Sequence, residues 1–290
     1  MSEISERHVA LQAPTATLQV WSGRLFLWPG RAAYLGHAAD TTVHAHHAVQ
    51  LCVAIDGSFR LRGGPRSRWR LRSAALIPAD REHQLDGRGA LLALIYLDPE
   101  VDIGRQLATV CSASSFTLRE GQVPQQTRDQ LTSLARSDCG PEEAGLAIDA
   151  AISRILPEYV PCGSLDPRVA RLVEHLAPQS GTPMPAADAA ALVGLSSHRF
   201  QHLFRASTGI PFRRYLLWLR LVAAVDHAAR GGSLTNAAHA AGFSDSAHLS
   251  RTFRRMLGLS PSALARGSTF VQASTQGTSQ SPRWRRRACK

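Results

Sequence analysis

Two groups of residues combine reactive side chains with a telling spacing. The first is His44-Ala45-His46, followed by Gln50 and later by His83 at the end of Pro78-Ala79-Asp80-Arg81-Glu82-His83. Three imidazoles suit zinc, iron, nickel or copper and are enough for a catalytic-type site. Gln50 adds a neutral amide, without the negative charge that usually helps to hold a divalent ion. The same side chains also suit an organic-ligand pocket, or a hydrogen-bonded filling of a β-domain. The reading taken forward is an effector pocket of His44, His46, Gln50 and His83 with no cofactor. A metal, if bound, would take His44, His46 and His83.

The second group is the run from Gly242 to Arg255, followed by Gly258-Leu259-Ser260-Pro261. Leu249, Phe253 and Met256 recur at helical spacing and must face a core. Ser246, His248, Arg251 and Arg255 then face outward. Ser244 or Asp245 can cap this helix, and a short small-residue helix ending at Gly242 precedes it. Two helices joined by a glycine turn, the second carrying basic and hydrogen-bonding groups outward, describe a helix-turn-helix reader of DNA.

The elements that must position the first group read as short strands. They are Leu18 to Trp21, Arg24 to Trp28, Val49 to Ile55, Phe59 to Arg62, Trp69 to Leu71, Ala74 to Ile77 and Ala90 to Leu97, separated by glycine, proline and aspartate turns. Many short strands at close spacing imply an antiparallel sandwich or barrel. In the hairpin from Phe59 to Arg72, alternation sets Arg60 and Arg62 on one face of the first strand and Arg66, Arg68, Arg70 and Arg72 on one face of the second. Phe59, Leu61, Trp69 and Leu71 are expected on the opposite face. A solvated, charged edge is the simple reading, and an anion-binding strip the sharper one.

His44, His46, Gln50 and Gly57 stand at spacings that resemble the first motif of cupin barrels, and Pro78 to His83 resembles a degenerate second motif. In metal-binding cupins a glutamate stands where this chain has Gln50. The resemblance therefore implies a cupin-like β-barrel effector domain over 16–101, after a loose arm at 1–15.

From Asp102 helical periodicity takes over. Between Glu142 and Leu156, Ala144, Ile148, Ala151, Ile152 and Ile155 form an apolar stripe. Residues 102–160 are read as a helical connector whose stripe is expected to serve a homodimer, the alternative being that it packs back on the barrel within one chain, with a linker at 161–165.

The C-terminal half repeats itself. Gly194-Leu195-Ser196 matches Gly242-Phe243-Ser244, Phe204-Arg205 matches Phe253-Arg254, and Gly209-Ile210 matches Gly258-Leu259. A helix from Phe212 to Arg230 joins the copies; its length of about 28 Å is close to the ~34 Å of one DNA turn. Residues 166–267 resemble the DNA-binding domain of the AraC/XylS family of transcription regulators, most specifically in Ala240-Ala241-Gly242-Phe243-Ser244-Asp245, Phe253 and Gly258-Leu259-Ser260-Pro261. The resemblance implies a sequence-specific regulator, usually an activator, responding to a small-molecule effector and acting with RNA polymerase on double-stranded DNA. It also implies an α+β chain of two domains, the barrel with appended helices followed by an all-α domain with two helix-turn-helix motifs. By motif position, His198, Gln201 and His202 in the first copy and Ser246, Ala247, His248 and Arg251 in the second would face bases. Arg251 can pair with guanine, Gln201 with adenine, and Ala247 can touch a thymine methyl. His202 stands where the second copy has Arg251, so the first copy should specify fewer bases, or do so with a pH dependence. Arg199, Arg205, Arg254 and Arg255 would contact phosphate.

Charge agrees with this division. The chain carries +11 overall, yet residues from Gly163 onward hold 17 basic against 5 acidic residues, leaving the first part near neutral. Residues 268–290 read as a disordered basic tail. The 5 scattered cysteines form no CxxC pair, so neither a disulfide framework nor a cysteine zinc site is expected. No apolar run is long enough to span a membrane, and a cytoplasmic protein is expected. Without a phosphate-binding glycine loop or a recognisable nucleophile arrangement, the chain is read as a non-enzyme with no catalytic residues. A metal-dependent cupin enzyme, or a metal sensor with a DNA-binding half, is the alternative.

Overall fold

The computed structural model describes residues 21–111, 118, 121–156, 165–176 and 184–272. The expected N-terminal arm, residues 18–20 of the first strand and nearly all of the expected linker lie outside them. So does the tail beyond residue 272.

The first part contains β1 (Ser22–Trp28), β2 (Arg31–His37), β3 (Val49–Ala54), β4 (Phe59–Arg62), β5 (Arg70–Arg72), β6 (Ala74–Ile77), β7 (Gln84–Asp86) and β8 (Leu91–Leu97). Helices α1 (Asp102–Val110), α2 (Gln125–Arg136) and α3 (Pro141–Ile155) follow. The second part contains α4 (Pro167–Leu176), α5 (Ala186–Leu192), α6 (Ser197–Thr208), α7 (Phe212–Ala229), α8 (Leu234–Ala240), α9 (Ser246–Leu257), α10 (Pro261–Gly267) and finally β9 (Ser268–Gln272).

One sheet runs β6-β3-β8-β2-β1-β9 and the smaller one β5-β4-β7. Alternation along β3 divides its side chains between two cores. Val49, Leu51 and Val53 pack under the helices, whereas Cys52 and Ala54 face the interior between the sheets. Gln50 shares the interior phase. Strands β2 and β7 were not among the expected strands. Arg31-Ala-Ala-Tyr-Leu-Gly-His has no β-branched residue, yet β2 is held on both edges by β1 and β8; ladder pairing overrides weak propensity.

The α3 stripe corrects an expectation. Ala144, Ile148, Ala151, Ile152 and Ile155 are completely buried against the sheet, together with Val49, Leu51 and Ile95. Full burial of each large side chain is worth about 1.5–3 kcal/mol, so the stripe is spent inside the chain and is not left for a second subunit.

The hairpin also differs from expectation. Arg60 lies opposite Leu71, and Leu61 opposite Arg70, so Leu71 shares the outward face and is 57% exposed. The guanidinium groups of Arg60 and Arg62 sit over the Trp69 ring at 5.4 and 4.6 Å. A one-residue difference in register exchanges the faces of a strand. Arg60 also pairs with Asp86, and Arg62 Nε donates to Gln84 at 2.8 Å.

Residues 268–272, expected to begin the tail, instead form β9. It runs parallel to β1, with Leu25 opposite Phe270. The exposed edge of β1 supplies the unpaired backbone groups that an extended segment can satisfy.

Candidate DNA-reading face and its histidine anchor

The two reading helices are built alike. The Ser196 side chain caps α6 by accepting from the Arg199 backbone N–H, and the Asp245 side chain caps α9 by accepting from that of His248 at 2.6 Å. Gly209 and Gly258 close the helices in the left-handed region, at φ 81° and 74°. The His248 N–H and the Ser244 hydroxyl hold the Asp245 carboxyl below its usual range.

Phe200 and Phe204 are buried on the inner face of α6, and Leu249, Phe253 and Met256 on that of α9. The opposite face of α6 exposes His198, Arg199, Gln201, His202 and Arg205; that of α9 exposes Ala247, Arg251, Arg254 and Arg255, with Ser246 and His248 half-buried. The His198 and His202 rings lie 5.1 Å apart. In the second copy His248 rests edge-on against Phe243, with Nδ1 3.2 Å from the Ser244 hydroxyl.

Helix α7 joins the two units by belonging to two cores. Phe212 and Tyr215 pack with α4, α5 and α6, while Trp218, Leu221 and Ala224 pack with α8, α9 and the β-domain. The second unit therefore shares one apolar core with the β-domain, and the first has its own. Polar contacts reinforce this seam. Trp218 Nε1–H donates to Asp98 at 2.9 Å, and Arg214 pairs with Asp80 at 2.6 Å. Burial, with the neighbouring Glu100, raises Asp98 to about 6. His47 lies edge-on to Tyr215, with Nε2 2.7 Å from Glu100. Burial opposes its charged form, but Glu100, with Asp98 and Asp80, more than offsets that and raises its pKa.

The expected pocket residues come together beneath this seam. His44 and His83 form an antiparallel bridge, each backbone N–H donating to the other's carbonyl at 2.9 Å, which sets their rings side by side. Ring centroids are 4.0 Å apart for His44 and His83, 5.0 Å for His46 and His83, and 5.7 Å for His44 and His46. Gln50 stands opposite Tyr96 across β3 and β8, with its Oε1 2.9 Å from His46 Nε2 and its Nε2 3.3 Å from the Tyr96 hydroxyl. All four predicted residues are at most 5% exposed. Burial, then repulsion from its neighbour His46, lowers His44 to about 3; burial likewise lowers His46, and His83 falls well below its ordinary value. Desolvation thus keeps these rings neutral.

The sequence did not reveal what lies above this cluster. The Thr42 N–H donates to the carbonyl of Gly258 at 2.7 Å, and the Thr42 carbonyl accepts from His44 Nδ1 at 2.8 Å. A Cβ on Gly258 would lie 2.5 Å from His44 Nδ1 and 2.7 Å from Thr41 Cβ. No local pattern announces contacts between segments so distant in the chain.

Residues 189–267 match the family model described as a helix-turn-helix domain. The C-terminal domain is an AraC-type helix-turn-helix domain. Across both domains the fold is similar to that of ToxT from Vibrio cholerae, with a TM-score of 0.54 at 10% identity over 80% of this chain and 97% of that one. ToxT solved with an unsaturated fatty acid bound gives 0.51 at 11% identity over 80% and 92%. Over the AraC-type domain alone, a transcriptional regulator from Chromobacterium violaceum is 27% identical, covering 35% of this chain and 92% of that one, with a TM-score of 0.33. No curated protein matches the chain. Among the described residues, no helix is long and apolar enough to cross a membrane.

Proposed function

We propose that the chain is a sequence-specific transcription regulator, an activator, whose AraC-type domain reads double-stranded DNA under control of an effector held by the β-domain. The observation that carries this reading is the pair of capped helices α6 and α9, each with an apolar inner face and a polar outer one. In this reading His198, Gln201 and His202 of α6, and Ser246, Ala247, His248 and Arg251 of α9, contact bases. Arg199, Arg205, Arg254 and Arg255 hold phosphates, fixing register without carrying sequence information.

Effector control is supported by the continuity of the barrel core with α7 and α9. The same fold in ToxT has been solved with an unsaturated fatty acid bound. A ligand that alters packing around His44, His46, Gln50 and His83 acts directly beneath Gly258 at the end of α9. Contact with RNA polymerase, assembly as a homodimer and a cytoplasmic location complete the proposal. With the α3 stripe spent internally, a dimer must use another surface; Leu146 on the outer side of α3 is 73% exposed.

Selection of duplexes from a random pool by the purified full chain tests the reading. It predicts enrichment of a motif with two separated elements, the one read by α9 better defined. Folded protein that enriches no motif would overturn it.

A further inference from the structure

The three histidines beneath the domain seam are arranged as metal ligands before any ion is bound. One ring nitrogen from each of His44, His46 and His83 lies within 4.8 Å of the others. The Nδ1 of His44 faces the Thr42 carbonyl at 2.8 Å, that of His46 the Ala48 carbonyl at 2.9 Å, and that of His83 the Arg81 carbonyl at 2.8 Å. A carbonyl can only accept, so each Nδ1 carries its proton and each Nε2 keeps its lone pair. Backbone partners of this kind fix the tautomer of metal-binding histidines and raise their basicity.

Two features of the cluster leave a ring-nitrogen lone pair without a donor. His83 Nε2 is buried with no hydrogen-bond partner, and an orphaned buried acceptor is costly. Gln50 Oε1 faces the lone pair of His46 Nε2 at 2.9 Å. A rotated amide relieves the second conflict alone, whereas a cation relieves both.

We propose that His44, His46 and His83 bind one divalent transition-metal ion of the zinc class, and that its occupancy is transmitted through Thr42 and Gly258 to the DNA-reading helix α9. Zinc–imidazole bonds of about 2.0–2.1 Å set nitrogen atoms roughly 3.4 Å apart, so binding contracts the cluster by about 1 Å. Thr42 accepts from His44 and donates to Gly258, and it carries that contraction across the seam. The Gln50 oxygen beside His46 is the natural fourth ligand. This inference rests on the reading of the β-domain as the effector module and names the class of effector.

The test uses the full chain, stripped with chelator and titrated with Co²⁺ and then Zn²⁺, with DNA affinity measured in both states. The expected result is one equivalent of Co²⁺ per chain with the visible absorption of a four- or five-coordinate site, displaced by Zn²⁺. His83→Ala abolishes it, whereas replacing the exposed His37 by Ala leaves it intact. Gln50→Glu, which restores a negative charge, tightens binding at least tenfold and guards against a His83 variant that fails to fold. Zn²⁺ changes affinity for the selected duplex at least fivefold in the wild type but not in His83→Ala. Binding below about a tenth of an equivalent, or binding indifferent to both substitutions, overturns the site. Stoichiometric binding with unchanged DNA affinity overturns the transmission. Metal binding by a chain that shows no specific DNA affinity in either state leaves the site standing and sinks the regulator reading instead.

Discussion

Arg251 and Arg254 stand three residues apart on α9, and both are exposed, but they are assigned different work. Arg251 lies in the stretch proposed to face bases, and its guanidinium can donate two parallel bonds to guanine. Arg254 lies in the last turn of the helix and is proposed to hold a phosphate. Arg251→Ala is expected to cost about 1–3 kcal/mol on the selected site and far less on random duplex. Arg254→Ala is expected to weaken both duplexes alike and to reduce the salt dependence by about one counterion. Anisotropy titrations of both variants on both duplexes at several salt concentrations separate these outcomes. Equal weakening by Arg251→Ala on the two duplexes moves Arg251 into the phosphate group.

The two reading helices end in the same left-handed glycine but in different surroundings. A Cβ on Gly209 would meet nothing within 4 Å, whereas one on Gly258 would press on His44, Thr41 and the Thr42 carbonyl. Gly209→Ala should therefore cost only the backbone strain, about 1–2 kcal/mol. Gly258→Ala adds a clash against the barrel and should lower the midpoint of chemical denaturation clearly further. Equal losses would mean that the seam holds α9 only loosely. The helices themselves were legible in the sequence because their causes are local: a cap, an apolar spacing and a closing glycine at each copy. The histidine cluster was legible as a set of residues, since His44, His46, Gln50 and His83 all meet. What sits above it was not, because Trp218, Asp98 and Gly258 are brought there by tertiary packing. Strand β2 is hard to read for want of β-branched residues, and β9 because its short Thr269-Phe270-Val271 signal is followed by a long polar stretch and is fixed as a strand by pairing with β1. The face of β5 was misplaced by one residue of register, which alternation alone leaves free.

At the scale of the whole molecule, the halves do not behave as separate modules on a tether. The core of the β-domain continues into α7, α8 and α9, and β9 returns from the AraC-type domain to form an edge of the larger sheet. The first unit, with α6, has a separate core and reaches the rest of the described protein chiefly through α7. One helix-turn-helix unit is thus seated on the β-domain, and the other is carried by the joining helix. In the proposed function, this asymmetry is what an effector acts on, because moving α9 against the β-domain also moves α7. All of this presupposes specific DNA recognition. The decisive measurement is the affinity of the full chain for its selected duplex against a shuffled duplex of equal length, at about 150 mM salt. The account predicts a ratio of at least about 10³. A ratio within about tenfold, from folded protein that binds both duplexes, would contradict it.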